Sequence, residues 1–279
     1  MKQDIKNFIT NAIKEDIGFQ DISSEACIKT DVTKKAKIIS KEDCIIAGID
    51  ITKKILNKID EKIKIKKSKK DGDEIKKQET IMIIEGPIKS ILKAERISLN
   101  IMQRMSGIAT KTNRIKKIIS KTNSKILDTR KTTPGFRSLQ KYSVRMGGGF
   151  NHRQNLGDGI LIKDNHIKTL SLKGLSLSEV VEKAHMNAAH TIKVEVEVES
   201  LEQVTECLDA GAEIILLDNM SPEIMKQAVK LCKGKAITEA SGGINLNSVK
   251  SAADSGVDLI SIGALTHSAP DLDLSLDID

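Results

Sequence analysis

Residues 126–166 read ILDTRKTTPGFRSLQKYSVRMGGGFNHRQNLGDGILIKDNH. Two short apolar runs, Ile126–Leu127 and Ile160–Ile162, each end in charge: Asp128-Thr129-Arg130-Lys131 after the first, Lys163-Asp164 after the second. Between them come a Thr-Pro-Gly turn, a helix-like run through Leu139 and Val144, three glycines, and Asn151-His152-Arg153. The pattern is strand, helix, strand, with cations at both strand ends and a third cationic group brought between them by the glycines. The same rhythm continues to the C-terminal side. Strands are expected at 192–198, 214–217, 236–238 and 259–262, and helices at 137–146, 178–189, 201–210, 222–231 and 247–255. Ser221-Pro222-Glu223 is a helix start, and Gly211 closes the helix before it. Regular strand–helix alternation implies a parallel sheet, closed or nearly closed into a barrel. Six units fall short of eight, so the expectation is an incomplete parallel α/β barrel of about six strands.

Towards the N-terminus the pattern changes. Ile5, Phe8, Ile9, Ala12 and Ile13 have helical spacing, and Gly18 ends that helix. Strands are expected at 36–40, 63–66 and 80–85, with a helix beginning at Ile49 and a turn at Lys70-Asp71-Gly72-Asp73. Gly86-Pro87 should break the last of these strands. A long helix should run over 88–106, stop at Gly107 and resume over 110–119, bridging two domains. The tail DLDLSLDID alternates strictly, placing Leu272, Leu274, Leu276 and Ile278 on one face of a final strand. The expected organisation is therefore an N-terminal α/β domain at 1–108 to which the tail strand 270–279 returns, and a catalytic barrel domain at 109–269.

Composition bounds the function. The 279 residues are 39% hydrophobic and 30% charged, enough for a large core in a soluble protein. No apolar run reaches membrane-spanning length, and the N-terminal stretch lacks an uninterrupted apolar core with a cleavage site. Cys27, Cys44, Cys207 and Cys232 have no metal-ligand spacing and read as reduced thiols of a cytoplasmic protein. The net charge of +7 could suit nucleic acid, but aromatics are only 2%, with Trp absent, so stacking platforms are scarce. Diffuse lysines read as solvated faces, with small anionic molecules as the partners.

The arginines narrow this further. All seven lie between Arg96 and Arg153, and every other basic residue is Lys. A guanidinium grips carboxylates and phosphates through two parallel hydrogen bonds, which an ammonium cannot do. Arg114 and Arg137 read as helix-surface residues; Arg130 and Arg153, at strand and loop ends, read as ligand groups. In α/β barrels the active site lies at the C-terminal ends of the strands. Here those ends carry Asp128 to Lys131, Lys163-Asp164, Asp218-Asn219, Glu239 to Gly243, and Gly263. Ser241-Gly242-Gly243 and Gly263-Ala264 are late glycine loops whose N–H groups could approach a phosphate. In KVEVEVES, Glu195, Glu197 and Glu199 alternate with valines. A strand covered on both faces should be apolar throughout, so inward carboxylates need partners: Lys131, Lys163, or ligand hydroxyls.

These motifs resemble the quinolinate phosphoribosyltransferase family, the carboxylating nicotinate-nucleotide pyrophosphorylases of NAD synthesis. The matching strings are KEDIGFQDIS, ERISLNIMQRMSGIAT, ILDTRKTTPGFR, KYSVRMGGGFNHR, LIKDNH, VEVEVESLEQV, ILLDNM, EASGGI and GALTHS, in the family's order over nearly the whole chain. The resemblance implies an N-terminal α/β sandwich plus an incomplete α/β barrel. It implies a homodimer or larger homo-oligomer in which Arg96 completes the neighbouring subunit's site. It also implies transfer of phosphoribosyl from phosphoribosyl pyrophosphate to quinolinate with decarboxylation, to nicotinate mononucleotide, pyrophosphate and CO₂.

Carried onto this chain, Arg130, His152 and Arg153, with Thr129, resemble the quinolinate dicarboxylate cradle. Lys131 and Lys163 resemble the cations beside quinolinate and pyrophosphate, and Glu197 and Asp218 the acids at the ribose hydroxyls and metal. Ser241, Gly242, Gly243 and Gly263 resemble the 5′-phosphate site. The catalytic set so implied is Lys131, Lys163, Glu197 and Asp218, with Mg²⁺ carried in by the pyrophosphate near Glu197 and Asp218 and no dedicated metal cage. The alternatives are a molybdenum-transport paralogue, which should differ at the cradle, a Schiff-base barrel using Lys163 or Lys131, and a basic nucleic-acid binder.

Overall fold

The computed structural model describes residues 2–279. In chain order its elements are α1 (Lys2–Ile17), α2 (Ile22–Cys27), β1 (Thr33–Ser40), β2 (Cys44–Ile45), α3 (Ile49–Ile59), β3 (Lys64–Ser68), β4 (Glu74–Ile75), β5 (Thr80–Pro87) and α4 (Ile88–Ile118). Then follow β6 (Lys125–Leu127), α5 (Arg137–Met146), β7 (Ile160–Ile162), α6 (Asp164–Ser171), α7 (Leu177–Asn187), β8 (Val194–Val198), α8 (Leu201–Asp209), β9 (Ile214–Asp218) and α9 (Pro222–Cys232). The chain closes with β10 (Ile237–Ser241), α10 (Val249–Asp254), β11 (Leu259–Ser261), α11 (Ala264–His267) and β12 (Leu274–Ile278). These elements fall into two compact units. One comprises Met1–Asn113, Thr132–Gly148 and Leu265–Asp279; the other comprises Arg114–Lys131 and Gly149–Ala264.

The first unit is built on a four-stranded sheet ordered β12-β1-β5-β3. Its strands pair antiparallel, and β12 joins the outer edge of β1 with Ile38 opposite Leu276. Alternation along β1 sends Ala36, Ile38 and Ser40 inward. Together with Met82, Ile84, Leu272 and Leu274 they pack on Ile91, Ala94, Leu99 and Met102 of α4. Another stripe of α4, through Ile97, Ile101, Met105 and Ala109, packs with Ile9 of α1, Ile51 and Ile55 of α3, and Leu139 of α5. One helix thus supplies two cores, which accounts for its many apolar positions.

Two expectations are corrected here. Pro87 ends β5 without breaking it early, because a strand's terminal residue can lack a ladder N–H. Gly107 does not interrupt α4, which is a single 31-residue helix. Glycine is required there by a close backbone approach: a Cβ at Gly107 would lie 1.9 Å from the Pro270 carbonyl oxygen. Gly147 has the same meaning, since a Cβ there would lie 2.3 Å from the Ala109 carbonyl oxygen.

The second unit is a six-stranded sheet ordered β6-β11-β10-β9-β8-β7. All its ladders are parallel. Strands β6 and β7 are its two edges, so the barrel is incomplete between them. The free side of β6 is met by the segment 150–152. Phe150 bridges to Leu127, the Phe150 N–H donates to the Ile126 carbonyl at 2.8 Å, and the Asp128 N–H donates to the Phe150 carbonyl at 3.2 Å. Helices α7, α8 and α9 begin on Ser176, Ser200 and Ser221, whose side chains accept first-turn N–H groups. Register fixes the height of each interior residue: Glu195 is level with Ile214 and Ile237, and Glu197 with Leu216 and Glu239. Among the described residues no helix is long and apolar enough to cross a membrane.

Candidate active site

Strand β6 ends at Leu127 and hands the chain to a buried Asp128. The Asp128 carboxylate accepts the His152 backbone N–H at 2.9 Å and the Asn151 side-chain amide. A buried carboxylate with two donors is satisfied, so Asp128 is a brace for the segment 150–153 and not a ligand group. This brace delivers Arg153 beside Arg130. Arg153 is half-buried and donates to the Gly159 carbonyl at 3.2 Å. Burial lowers its proton affinity, the Arg130 charge lowers it further, and Glu195 opposes both. A half-buried guanidinium with a second guanidinium close enough to act on it could accommodate an anion. Thr129 turns the loop by accepting the Lys131 backbone N–H at 3.1 Å, leaving Lys131 exposed.

The inward glutamates of β8 divide into two environments. Glu197 pairs with Lys163 at 3.5 Å, with the lysine side chain 46% exposed and the glutamate 17%. Burial pushes the Glu197 carboxyl up, Lys163 pulls it down, and the Asp218 charge pushes it up again. Glu195 lies deeper and pairs with His152, whose Nε2 is 3.4 Å from a carboxylate oxygen of Glu195 and 3.4 Å from one of Glu239. Glu199 is exposed at the strand's end. Lys163 is itself fixed from below: its N–H donates to Nδ1 of His166 at 3.0 Å, so His166 caps α6.

The late loops are tight. Asn219 has φ +53° and Gly242 has φ +88°, both in the left-handed region. They touch: the Asn219 N–H donates to the Ser241 carbonyl at 3.0 Å. A Cβ at Gly242 would lie 2.3 Å from the Asn219 side-chain oxygen. Asp218 accepts the Asn219 side-chain amide at 2.6 Å, which aims its carboxylate. Gly243 is exposed, and Gly263 follows β11 through Ile262.

Sequence reasoning therefore finds Thr129, Arg130, Lys131, His152, Arg153, Lys163, Glu197, Asp218, Ser241, Gly242, Gly243 and Gly263 all in the second unit. All but His152 and Arg153, which lie in the loop before β7, and Glu197, the next-to-last residue of β8, stand at or just beyond strand C-terminal ends. Arg96 lies on α4 in the first unit, 59% exposed, with Glu95 at 3.9 Å. Glu239 was expected in a loop after β10; it is the middle residue of that strand and 1% exposed. Its signal was available, since a carboxylate inside an otherwise apolar strand is as costly in TEAS as in VEVEV. Arg137 is half-buried and donates to the Thr132 hydroxyl at 2.8 Å, where a plain surface role was expected.

Among the described residues, one trio of metal-ligand type has its ligand atoms within 4.8 Å of one another: His152, Glu195 and Glu239. Nδ1 of His152 accepts the Arg153 backbone N–H at 2.7 Å, so the ring hydrogen sits on Nε2. A nitrogen that carries hydrogen is not a metal ligand. Burial alone would lower the ring's proton affinity, while Glu195 and Glu239 raise it to about 10. Burial pushes the Glu195 carboxyl up, and the contact with His152 pulls it down. Glu197 and Asp218 could hold a cation instead: both offer hard oxygen donors, and the Asp218 charge disfavours that of Glu197.

An open parallel α/β barrel with neighbouring arginines, a Lys–Glu pair and glycine loops after its strands suits an enzyme for small, multiply anionic substrates. Models of the quinolinate phosphoribosyl transferase N-terminal and C-terminal domains match residues 21–106 and 108–277, and the chain belongs to this family. It is 43% identical over 274 residues to the probable nicotinate-nucleotide pyrophosphorylase [carboxylating] of Bacillus subtilis, covering 98% of this chain and 93% of that protein. It is 39% identical over 292 residues to quinolinate phosphoribosyltransferase [decarboxylating] 2b, mitochondrial, of Nicotiana tabacum, covering 99% of this chain and 82% of that one. The structure of the nicotinate-nucleotide pyrophosphorylase from Francisella tularensis superposes with a TM-score of 0.95 at 39% identity, covering 100% of this chain and 97% of that one.

Proposed function

We propose that this chain transfers the phosphoribosyl group of phosphoribosyl pyrophosphate to quinolinate in de novo NAD synthesis. The products are nicotinate mononucleotide, pyrophosphate and CO₂. Two observations support the reading: the half-buried Arg153 feels the charge of Arg130, and the end of β7 carries Lys163 paired with Glu197 at 3.5 Å. A dicarboxylate is the ligand that two forks and a neighbouring lysine suit best.

In this reading Thr129, Arg130, His152 and Arg153 hold the pyridine dicarboxylate, and Lys131 and Lys163 sit beside it and the pyrophosphate. Ser241, Gly242, Gly243 and Gly263 take the 5′-phosphate. The pyridine nitrogen attacks C1 of the ribose as the C1–O bond to pyrophosphate breaks, with the bonding electrons leaving on oxygen. Positive charge grows on the ribose, where Glu197 and Asp218 stabilise it. Nitrogen is then cationic, so the electrons released when the adjacent carboxylate departs as CO₂ are held on the ring until a proton replaces it. Glu197 and Asp218 would also hold Mg²⁺, which when bound neutralises the pyrophosphate it accompanies.

The working form is a homodimer or larger homo-oligomer in which the exposed Arg96 completes the neighbouring site. Its setting is the cytoplasm; four free thiols, three of them buried, suit a reducing compartment. The test is production of CO₂ and nucleotide from quinolinate, phosphoribosyl pyrophosphate and Mg²⁺, with nicotinate as the parallel acceptor. Product from quinolinate alone supports the cradle. Turnover only with nicotinate removes the cradle and keeps the phosphoribosyl site.

A further inference from the structure

Among the described residues two that are not glycine take a left-handed φ: Gln78, in the turn before β5, and Asn219, at φ +53°. Such a backbone is unfavourable for a residue with a Cβ, and beside a ligand site it points to a role. Asn219 follows Asp218, the last residue of β9. Its side-chain amide donates to Oδ2 of Asp218 at 2.6 Å, and its backbone N–H donates to the Ser241 carbonyl at 3.0 Å. Asp218 and Ser241 stand opposite each other in the parallel ladder of β9 and β10, so the two strands end level. Gly242, at φ +88°, closes against the same asparagine: a Cβ there would lie 2.3 Å from Asn219 Oδ1 and 2.7 Å from its backbone nitrogen. One residue thus joins the turn after β9 to the turn after β10. It is exposed, so it adds nothing to the core. A primary amide suits the place, with N–H for a carboxylate and an oxygen for the other side.

Resting on the reading above, in which Asp218 meets the ribose and Ser241 to Gly243 take its 5′-phosphate, we propose that Asn219 is a positioning residue for phosphoribosyl pyrophosphate, acting through Asp218. The amide N–H fixes one carboxylate oxygen of Asp218, which sets the plane of the group and leaves Oδ1 to the ligand. The backbone of the same residue is tied to Ser241, so the carboxylate is held in register with the phosphate loop. The separation between the group that meets the ribose and the loop that meets its phosphate is thereby set by one residue. The left-handed backbone is the cost of making both bonds from it. Loss of the amide lets the Asp218 side chain rotate, and a misplacement of about 1 Å in a positioned group can cost up to about a hundredfold.

The test uses the full-length enzyme carrying Asn219→Gly. Glycine adopts the left-handed backbone freely and keeps the N–H to Ser241, so the turn persists while the amide on Asp218 is lost. Relief of the backbone and loss of one exposed hydrogen bond roughly offset each other, so Tm should stay within about 3 °C of wild type. In isothermal titration with Mg²⁺ present, Kd for phosphoribosyl pyrophosphate should rise by about tenfold or more. Kd for quinolinate should stay within about threefold, because its cradle lies on the loops after β6 and before β7. In an Asp218→Ala background the same substitution should change Kd for phosphoribosyl pyrophosphate by less than about twofold, since the group it acts through is gone. An unchanged affinity for phosphoribosyl pyrophosphate in Asn219→Gly overturns the inference. So does an equal loss for both ligands, a larger fall in Tm, or a full additional loss in the Asp218→Ala background. Nucleotide formation from quinolinate by the wild-type enzyme reads the functional assignment separately. Its absence removes that reading, and the titrations, which need no acceptor, still decide the positioning claim.

Discussion

Gly107 sits in the middle of a 31-residue helix, where alanine would ordinarily stabilise by about 1 kcal/mol. The structure reverses that sign. A Cβ at this position lies 1.9 Å from the Pro270 carbonyl oxygen and 3.0 Å from its carbonyl carbon. Ordinary C···O contact begins near about 3.3 Å, so the tail must retreat by roughly 1.4 Å, and the obstacle is backbone that no rotamer change can move. The retreat strains the hydrogen bonds that bind the tail to α4. These are Leu272 N–H to the Gln103 carbonyl at 3.3 Å, Gln103 Nε2 to the Leu274 carbonyl at 3.2 Å, and Arg104 to the carbonyls of Thr266 and Ala269 at 2.8 and 2.5 Å. At about 1 kcal/mol net for each, losing three costs about 3 kcal/mol. Against the helix gain, Gly107→Ala should destabilise by about 2 kcal/mol, or roughly 4–8 °C in Tm for a protein of this size. Thermal scanning reads the shift, and hydrogen exchange should show the Leu272 amide deprotected. A Tm equal to or above wild type would refute the claim that close approach, not conformational freedom, sets this glycine.

Arg130→Ala should leave Tm near wild type while lowering kcat/KM for quinolinate by about 10²–10³-fold. That is the cost of about 3–4 kcal/mol for removing one partner of a desolvated charge pair; a folded variant with normal activity removes Arg130 from the cradle. Gly242→Ala combines a left-handed φ of +88° with a Cβ 2.3 Å from Asn219. It should therefore weaken binding of phosphoribosyl pyrophosphate by more than about tenfold and lower Tm, as isothermal titration and scanning would report. Asp71 accepts the Ile49 N–H and the Tyr142 O–H, both at 2.8 Å, and burial pushes its carboxyl above the ordinary value of 3.8. A raised folded value means that its contribution is full below 3.8 and is lost as pH rises through the folded value. Wild type minus Asp71→Asn in Tm should thus be larger near about pH 3.5 than near about pH 6.5, and a flat difference would show that burial of the charge is not felt.

Much of this fold was legible because the second unit announces itself by repetition. Most β-strands there are short apolar runs bounded by charge or glycine, and the serine cap of α9 marks its start at Pro222. The tail strand was legible from its period of two. What escaped notice had no periodic signature. Helix α6 contains no buried residue, so no apolar face betrays it; its first turn is held by His166 on the Lys163 N–H. Gly107 was misread as an end to α4 because a single sequence cannot distinguish a glycine that releases the backbone from one that admits another chain segment. That distinction lives in the 1.9 Å to Pro270, between residues 163 positions apart.

The site shows the same limit with a sharper cause. Glu195, Glu197 and Glu239 present one chemical signal, a carboxylate on the inner face of a barrel strand. They have different fates because their partners differ. Lys163, at the end of the neighbouring strand, pairs with Glu197 and leaves it 17% exposed. His152 arrives from the loop that Asp128 braces and meets Glu195, two residues earlier on β8, and Glu239, level with Glu197 on β10. Strand spacing could predict that these carboxylates need cations, but not which cation comes to which. That pairing is decided by a loop crossing the free edge of β6, where Phe150 bonds to Ile126 and Leu127. The open edge left by a six-stranded sheet is therefore what admits the loop that brings His152 to Glu195 and Glu239 and leaves Glu197 to Lys163.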